Sequence, residues 1–348
     1  TLDTEDMIGF TRAFVEDFKV GLQSVNTERY PWIEEISNGK WIGVLALGMG
    51  GSAAGSDFLA ALCEIKGNIP VVVQRDYVLP SWWNENWLIL STSHSGNTEE
   101  TIAATEIALQ AGATVVVIST GGILSGLAEL HYNCYLIPSI GGQPPRSAFG
   151  HIFARQLALF RCLGILPSEN NDEAMLQRLQ AVVNDYDFIN NQDSDVTELI
   201  SYMATQPIAL IGPTELTPAL NRFKNQLNEN AARFARIGIL PELNHNESVA
   251  WGGVGEDADY SVGENVILFL TWNGMHSRVT KRLEWMIAHT PTDMAWRIHG
   301  EGESLLEALL HLCIVMDWVS IALGLVHQKD PSSIGPIISL KKFLAGLQ

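Results

Sequence analysis

Short runs of β-branched and aliphatic residues alternate along this chain with longer stretches in which apolar residues recur every three or four positions. The opening segment, about 4–25, has the second pattern and predicts an amphipathic helix. Residues 41–48 (WIGVLALG) predict a strand that runs into the glycine-rich GMGGSAAG, followed by a helix over 56–66. IPVVVQRDY at 69–77 predicts a second strand, and WLILST a third that ends in the polar turn SHSGNT. A helix follows at 98–111, then strands at 113–120 (ATVVVIST) and 132–138 (YNCYLIP), then a helix at 147–163. Short apolar strands alternating with helices of ten or more residues predict a parallel sheet covered on both faces.

The strand signal lapses between 166 and 198, where a polar helical connector is expected. A second series then starts: a strand at 206–213, a helix at 218–238 opened by Pro218 and closed by Gly238, and strands at 237–243, 264–272 and 294–300. Two helices, one over about 303–326 and one near the C-terminus, complete it. The expected architecture is α/β with two domains: 1–165, holding the first helix and sheet, and 199–348, joined by the connector 166–198. Each is a mainly parallel sheet flanked by helices.

Composition changes the picture in two ways. Hydrophobic residues make up 47% of the 348, enough to exclude intrinsic disorder. The 39 acidic against 21 basic side chains give a net charge of −18, which argues against nucleic-acid and anionic-membrane partners. Cys63, Cys134, Cys162 and Cys313 are scattered and show neither a CxxC nor a Cys/His pattern, so a reduced, cytoplasmic chain without a zinc site is expected. The first ten residues lack the basic start and apolar run of a signal peptide. The most apolar window, 309–326, contains His311, Asp317 and Ser320, and reads as a buried helix rather than a membrane span.

Two turns carry candidate chemistry. Gly48, Gly50 and Ala53 satisfy G-x-G-x-x-A between a strand and a helix, the pattern of a dinucleotide-binding turn. The second strand, however, offers Gln74 and Arg75 before Asp76 where a ribose-binding carboxylate belongs. The SHSGNT turn places Ser93, Ser95 and Thr98 around Gly96 at a strand-to-helix junction. Unsatisfied backbone N–H groups and the positive end of the helix dipole converge at such a junction. Hydroxyls added to them make a phosphate cradle without lysine. An ordinary Ser/Thr helix cap is the competing reading, although a cap needs one hydroxyl and three are present.

GGS (50–52), SHSGNT (93–98) and PRSA (145–148) together resemble the sugar isomerase (SIS) domain family. NENA (228–231), PELNHNE (241–247) and the C-terminal DPSSIGPIISLKKFL narrow the likeness to its two-domain branch, the bifunctional phosphoglucose/phosphomannose isomerases, over residues 40–348. This resemblance implies isomerisation of aldose 6-phosphates to ketose 6-phosphate through a cis-enediol without metal or cofactor. It implies phosphate-binding hydroxyls at Ser52, Ser93, Ser95 and Thr98, and a substrate-binding glycine at Gly51. Arg146 would stabilise the enediolate, Glu229 would be the base, and His245 would open the sugar ring from a neighbouring subunit of a homodimer. Lys341, with Lys342 as its alternative, would assist ring opening. His94 stands where related sequences often carry Tyr.

Read from the residues alone, several of these have plainer alternatives. Leu220, Phe223, Leu227, Ala231 and Phe234 form one apolar helical face. Glu229 lies opposite with Arg222, Arg233 and Arg236, as a solvated helix glutamate would. His245 equally suits a loop histidine, and the C-terminal lysines suit favourable charges at a helix end. Arg146 follows Pro144 and Pro145, a stiff lead-in that fixes its direction. His131, His151, His289, His299, His311 and His327 show no ligand spacing. Other functions compatible with these turns are a different SIS enzyme acting on amino-sugar or pentose phosphates, a non-catalytic sugar-phosphate sensor, and a nicotinamide-dependent enzyme.

Overall fold

The computed structural model describes residues 2–169, 171–254 and 257–346. The chain forms two compact units, residues 13–180 and residues 1–12 with 181–348. Both are α/β and both sheets are wholly parallel, as the alternating pattern predicts.

In the unit 13–180 five strands, β1 (Gly43–Leu47), β2 (Val71–Gln74), β3 (Trp87–Thr92), β4 (Val115–Ser119) and β5 (Cys134–Pro138), lie in the order β2-β1-β3-β4-β5. Central strands β1 and β4 are buried at every position, which explains their continuous apolar sequence. Leu45, Ile89, Val115 and Val117 pack against Ala104, Ala108 and Leu124 from the covering helices. Helices Gly50–Lys66 and Phe149–Cys162 share an aromatic cluster in which Phe58 meets Phe149 and Phe153 edge-on at 5.1 and 5.3 Å. A helix absent from the expected set, Gly122–Leu130, fills the β4–β5 connection.

The second unit has β6 (Ile208–Pro213), β7 (Ala235–Leu240), β8 (Val266–Trp272) and β9 (Ala295–Gly300) in the order β7-β6-β8-β9. This repeats the first four positions of the other sheet. Residues 2–12 belong here, held by the Arg12–Asp187 ion pair at 2.7 Å and by Thr4 Oγ1, which donates to Asp330 Oδ2 at 2.5 Å. Burial raises the Asp187 proton affinity, but Arg12 and the amides of Ile189 and Asn190 outweigh it and leave the carboxyl below its usual range. The connector region holds two helices, Asp172–Tyr186 and Val196–Met203, and a further helix not anticipated, Ser277–His289, precedes β9.

Two helix boundaries differ from expectation: the helix expected over 56–66 already starts at Gly50, within the glycine-rich turn. The helix expected over 218–238 ends at Ala231, because Ala232 takes a left-handed conformation (φ 52°, ψ 39°) and β7 begins at Ala235. Phe234 therefore leaves the apolar face and is 92% exposed. Helix Leu305–Val326 is long and apolar enough to cross a membrane, yet 89% of its most apolar window is buried inside the unit. Glu307, Asp317 and Ser320 within it are hydrogen-bonded.

Candidate active site

Three turns meet at the carboxyl ends of the strands in the unit 13–180. The order 2-1-3 places a topological switch point between β1 and β3, where chain connections diverge and leave a crevice. From β1 the chain enters Gly48–Ser52 and starts the helix Gly50–Lys66. From β3 it enters Ser93–Thr98 and starts the helix Glu99–Gln110. The backbone N–H of His94 donates to Ser52 Oγ at 3.0 Å and ties the two turns together. Ser93 Oγ and Thr98 Oγ1 share a hydrogen bond of 2.8 Å, and Ser93 Oγ also accepts the Gly96 N–H at 3.2 Å. Thr98 occupies the N-cap position of its helix but makes no side-chain cap. The simple capping alternative for this turn does not hold. Ser95 is exposed at the tip, its hydroxyl accepting the Asn97 N–H at 3.2 Å.

Gly96 sits at φ +68°, and a Cβ there would lie 1.8 Å from the carbonyl oxygen of Gly121. The turn after β4 is thus pressed against the serine turn, and only glycine fits. Gly51 makes the second close approach: a Cβ would stand 2.9 Å from the Pro145 carbonyl oxygen and 3.4 Å from Arg146 Cα. Gly51, Ser52, Ser93, Thr98 and Arg146 are therefore brought together, with Arg146 buried. His94 turns inward. Its Nε2 is 3.0 Å from the Gln143 carbonyl oxygen, and its ring lies 6.1 Å from that of His151. Burial lowers the proton affinity of His94, and for His151 it does so down to about 3, helped by Arg155. Both rings are neutral at physiological pH, so the hydroxyl turn rests on an uncharged support.

The remaining predicted residues lie in the other unit on three separate elements. Glu229 is near the end of helix Thr217–Ala231 and is half-buried. His245 is exposed at the end of a short 3₁₀ turn, Glu242–His245, after β7. Lys341 and Lys342 are exposed on helix Gly335–Ala345. The side chains of His245 and Lys341 make no hydrogen bond or ion pair among the described residues.

The polar face that carries Glu229 is not solvated. Arg222, Gln226 and Asn230 recur every four residues and pack on Asp317 and Ser320 of helix Leu305–Val326. Arg222 pairs with both carboxylate oxygens of Asp317 at 2.6 and 2.9 Å, and Gln226 donates to Asp317 Oδ1 at 2.7 Å. Asn230 Nδ2 donates to Ser320 Oγ at 2.9 Å. Arg233, expected on the same helical face as Glu229, leaves the helix and donates to the Ala204 and Gln206 carbonyls. Lys329, which the motifs did not reveal, donates from its ammonium to the Glu229 carbonyl at 2.6 Å and to the Asp330 and Ser333 carbonyls. The sequence signal available was Asp317 itself, a carboxylate inside an apolar run that burial forces to find a cation. The acidic, glycine-rich stretch 251–263, which has no expected role, buries Trp251 under the Arg236 guanidinium at 5.1 Å; Gly255 and Glu256 within it lie outside the described residues.

Residues 193–344 match the family described as bacterial phospho-glucose isomerase C-terminal SIS domain. The bifunctional phosphoglucose/phosphomannose isomerase of Caldicellulosiruptor bescii is 32% identical over 317 residues, which cover 88% of this chain and 90% of that protein. The chain belongs to the bifunctional phosphoglucose/phosphomannose isomerase family. The Thermoplasma acidophilum protein of the same name is 29% identical, covering 87% of this chain and 90% of its own. In fold, the chain is similar to tagatose-6-phosphate ketose/aldose isomerase from Escherichia coli, with a TM-score of 0.74 at 15% identity over 96% of this chain and 95% of that one. As a phosphoglucose/phosphomannose isomerase family member the chain is an isomerase, which sets aside the dehydrogenase and non-catalytic sensor readings.

Proposed function

We propose that the chain interconverts glucose 6-phosphate and mannose 6-phosphate with fructose 6-phosphate, with Glu229 carrying the proton between C2 and C1 of a cis-enediol. Aldose–ketose isomerisation of hexose phosphates follows from the family; the substrate pair and the assignment of residues to steps are our reading. The observation that carries it is the gathering of Gly51, Ser52, Ser93, Thr98 and Arg146 at one switch point. Two helices start there, and their N-terminal amides, with the hydroxyls, suit a phosphate. Glu99 and Glu100 in the first turn of one of them weaken its positive field, although Glu99 is engaged by the Tyr77 hydroxyl at 2.5 Å. Arg146 adds a charge fixed at any physiological pH, suited to an enediolate oxygen.

Glu229 takes the C2 proton and returns it to C1, a task for a carboxylate held by its backbone, as the Lys329 bond to its carbonyl does. His245 opens the ring and Lys341 assists, the histidine arriving from a second copy of the chain. Support for a homodimer comes from helix Gly335–Ala345, which has no buried residue and leaves Ile338, Leu340 and Phe343 about half or more exposed. Cytoplasmic residence is supported by four free cysteines.

The test is Glu229→Gln. Turnover of fructose 6-phosphate falls roughly 10²–10⁴-fold, the usual contribution of a general base, while binding of a substrate analogue changes little. Deuterium from solvent no longer enters at C2. Near-normal turnover removes Glu229 from the base role.

A further inference from the structure

A cavity of about 680 Å³ in the second unit contains none of the residues assigned to isomerisation. Five carboxylates stand around it on four segments: Asp185 on helix Asp172–Tyr186, Asp193 and Asp195 in the next loop, Glu198 on helix Val196–Met203, and Glu301 after β9. All five are exposed, and one arginine, Arg297, opposes them among the described lining residues. Beneath the carboxylates the wall is apolar, with Leu199, Val315 and Val319 buried.

Two histidines line the cavity and differ in one respect. His299 uses both ring nitrogens, one 2.9 Å from Thr271 Oγ1 and the other 3.2 Å from Asn273 Oδ1. His311, only 7% exposed, makes no hydrogen bond among the described residues; its ring meets Tyr186 edge-on at 6.5 Å. Its ring nitrogens are not sealed from the cavity, so they are free to meet a ligand there. Burial also keeps this ring neutral, so it offers one acceptor and one donor to the cavity.

The carboxylates are dispersed rather than focused. Among the described residues no group of three or more His, Cys, Asp or Glu side chains is arranged to hold a metal ion. Separated negative charges around an apolar wall suit a cation that is itself extended, with its charges spaced along an alkyl chain. The overall charge of −18 favours the approach of such a molecule.

We propose that this cavity binds an aliphatic polyamine, its ammonium groups against the carboxylates, its methylenes over Leu199, Val315 and Val319, and one N–H donated to His311. The site is independent of the isomerase chemistry. Bound there, the ligand links a helix, a loop and the end of β9, and it stabilises this unit by mass action.

Calorimetric titration of the full chain with spermidine at about 0.1 M salt tests it. One saturable site per chain is expected, and an equal concentration of magnesium chloride does not displace the ligand. The double variant Asp195→Asn, Glu301→Gln weakens binding at least tenfold, whereas neutralising the equally exposed Glu34 and Glu35 of the other unit changes it less than twofold. His311→Phe, which alters no charge, weakens binding at least threefold with an unchanged circular dichroism spectrum. Absence of a saturable site overturns the proposal. So does equal weakening by the two double variants, which signals diffuse attraction to an acidic surface. Should His311→Phe fail to fold, the two double variants, built at exposed positions, still decide the matter.

Discussion

The two sheets share their strand order over four positions, yet their switch points differ. In the unit 13–180 the crevice between β1 and β3 is lined by Ser52, Ser93 and Thr98, with glycines where turns approach one another. In the second unit the corresponding strand ends, β6 and β8, are bridged: Trp272 Nε1 donates to Glu215 Oε1 at 2.9 Å. There the family motifs sit elsewhere, at the end of helix Thr217–Ala231 and in the turn after β7. The same topology thus offers two equivalent crevices, and side chains decide which one is left open for an anion. A carboxylate at Glu215 repels phosphate, whereas hydroxyls and helix amides attract it.

The largest effect expected concerns what holds the second unit's contribution in place. Asp317→Ala leaves Arg222 buried without its anion and lowers stability by about 3–5 kcal/mol, measured by denaturant unfolding. Activity is lost with it if Glu229 depends on that packing; full activity at normal stability would show that the helix is positioned otherwise. Gly96→Ala strikes the open crevice. Strain at positive φ costs about 1–3 kcal/mol, and the clash with Gly121 displaces the serine turn. The Michaelis constant for fructose 6-phosphate is expected to rise tenfold or more, with a smaller change in kcat. An unchanged constant would erase the contrast between the crevices. Trp272→Phe, at the closed crevice, removes one hydrogen bond and costs about 1 kcal/mol. Its Michaelis constant stays that of the wild type, and a change would mean that the second crevice also meets substrate.

Much of the fold is legible in the sequence. Parallel α/β organisation followed from β-branched runs alternating with helical periodicity, because both report on neighbours two to four residues apart. The hydroxyls of SHSGNT stand out through local chemistry, and the proposed anion site rests on them. Helix Gly122–Leu130 was not legible, since its glycines and serine read as a loop. Nor was the end of helix Thr217–Ala231, where Arg233, Phe234 and Arg236 continue a plausible helical face.

What the sequence determined by itself was therefore the set of local elements and the residue types at each turn. Tertiary structure alone decided which of those groups meet. It set Gly51 against Pro145 and Arg146, joined Ser52 to His94, and paired Arg222 with Asp317 across 95 residues of sequence. It also turned an apparently solvated face into a buried one. The physical reason is range: periodicity fixes which way a side chain faces on its own helix, but only packing fixes whether water or another helix lies there.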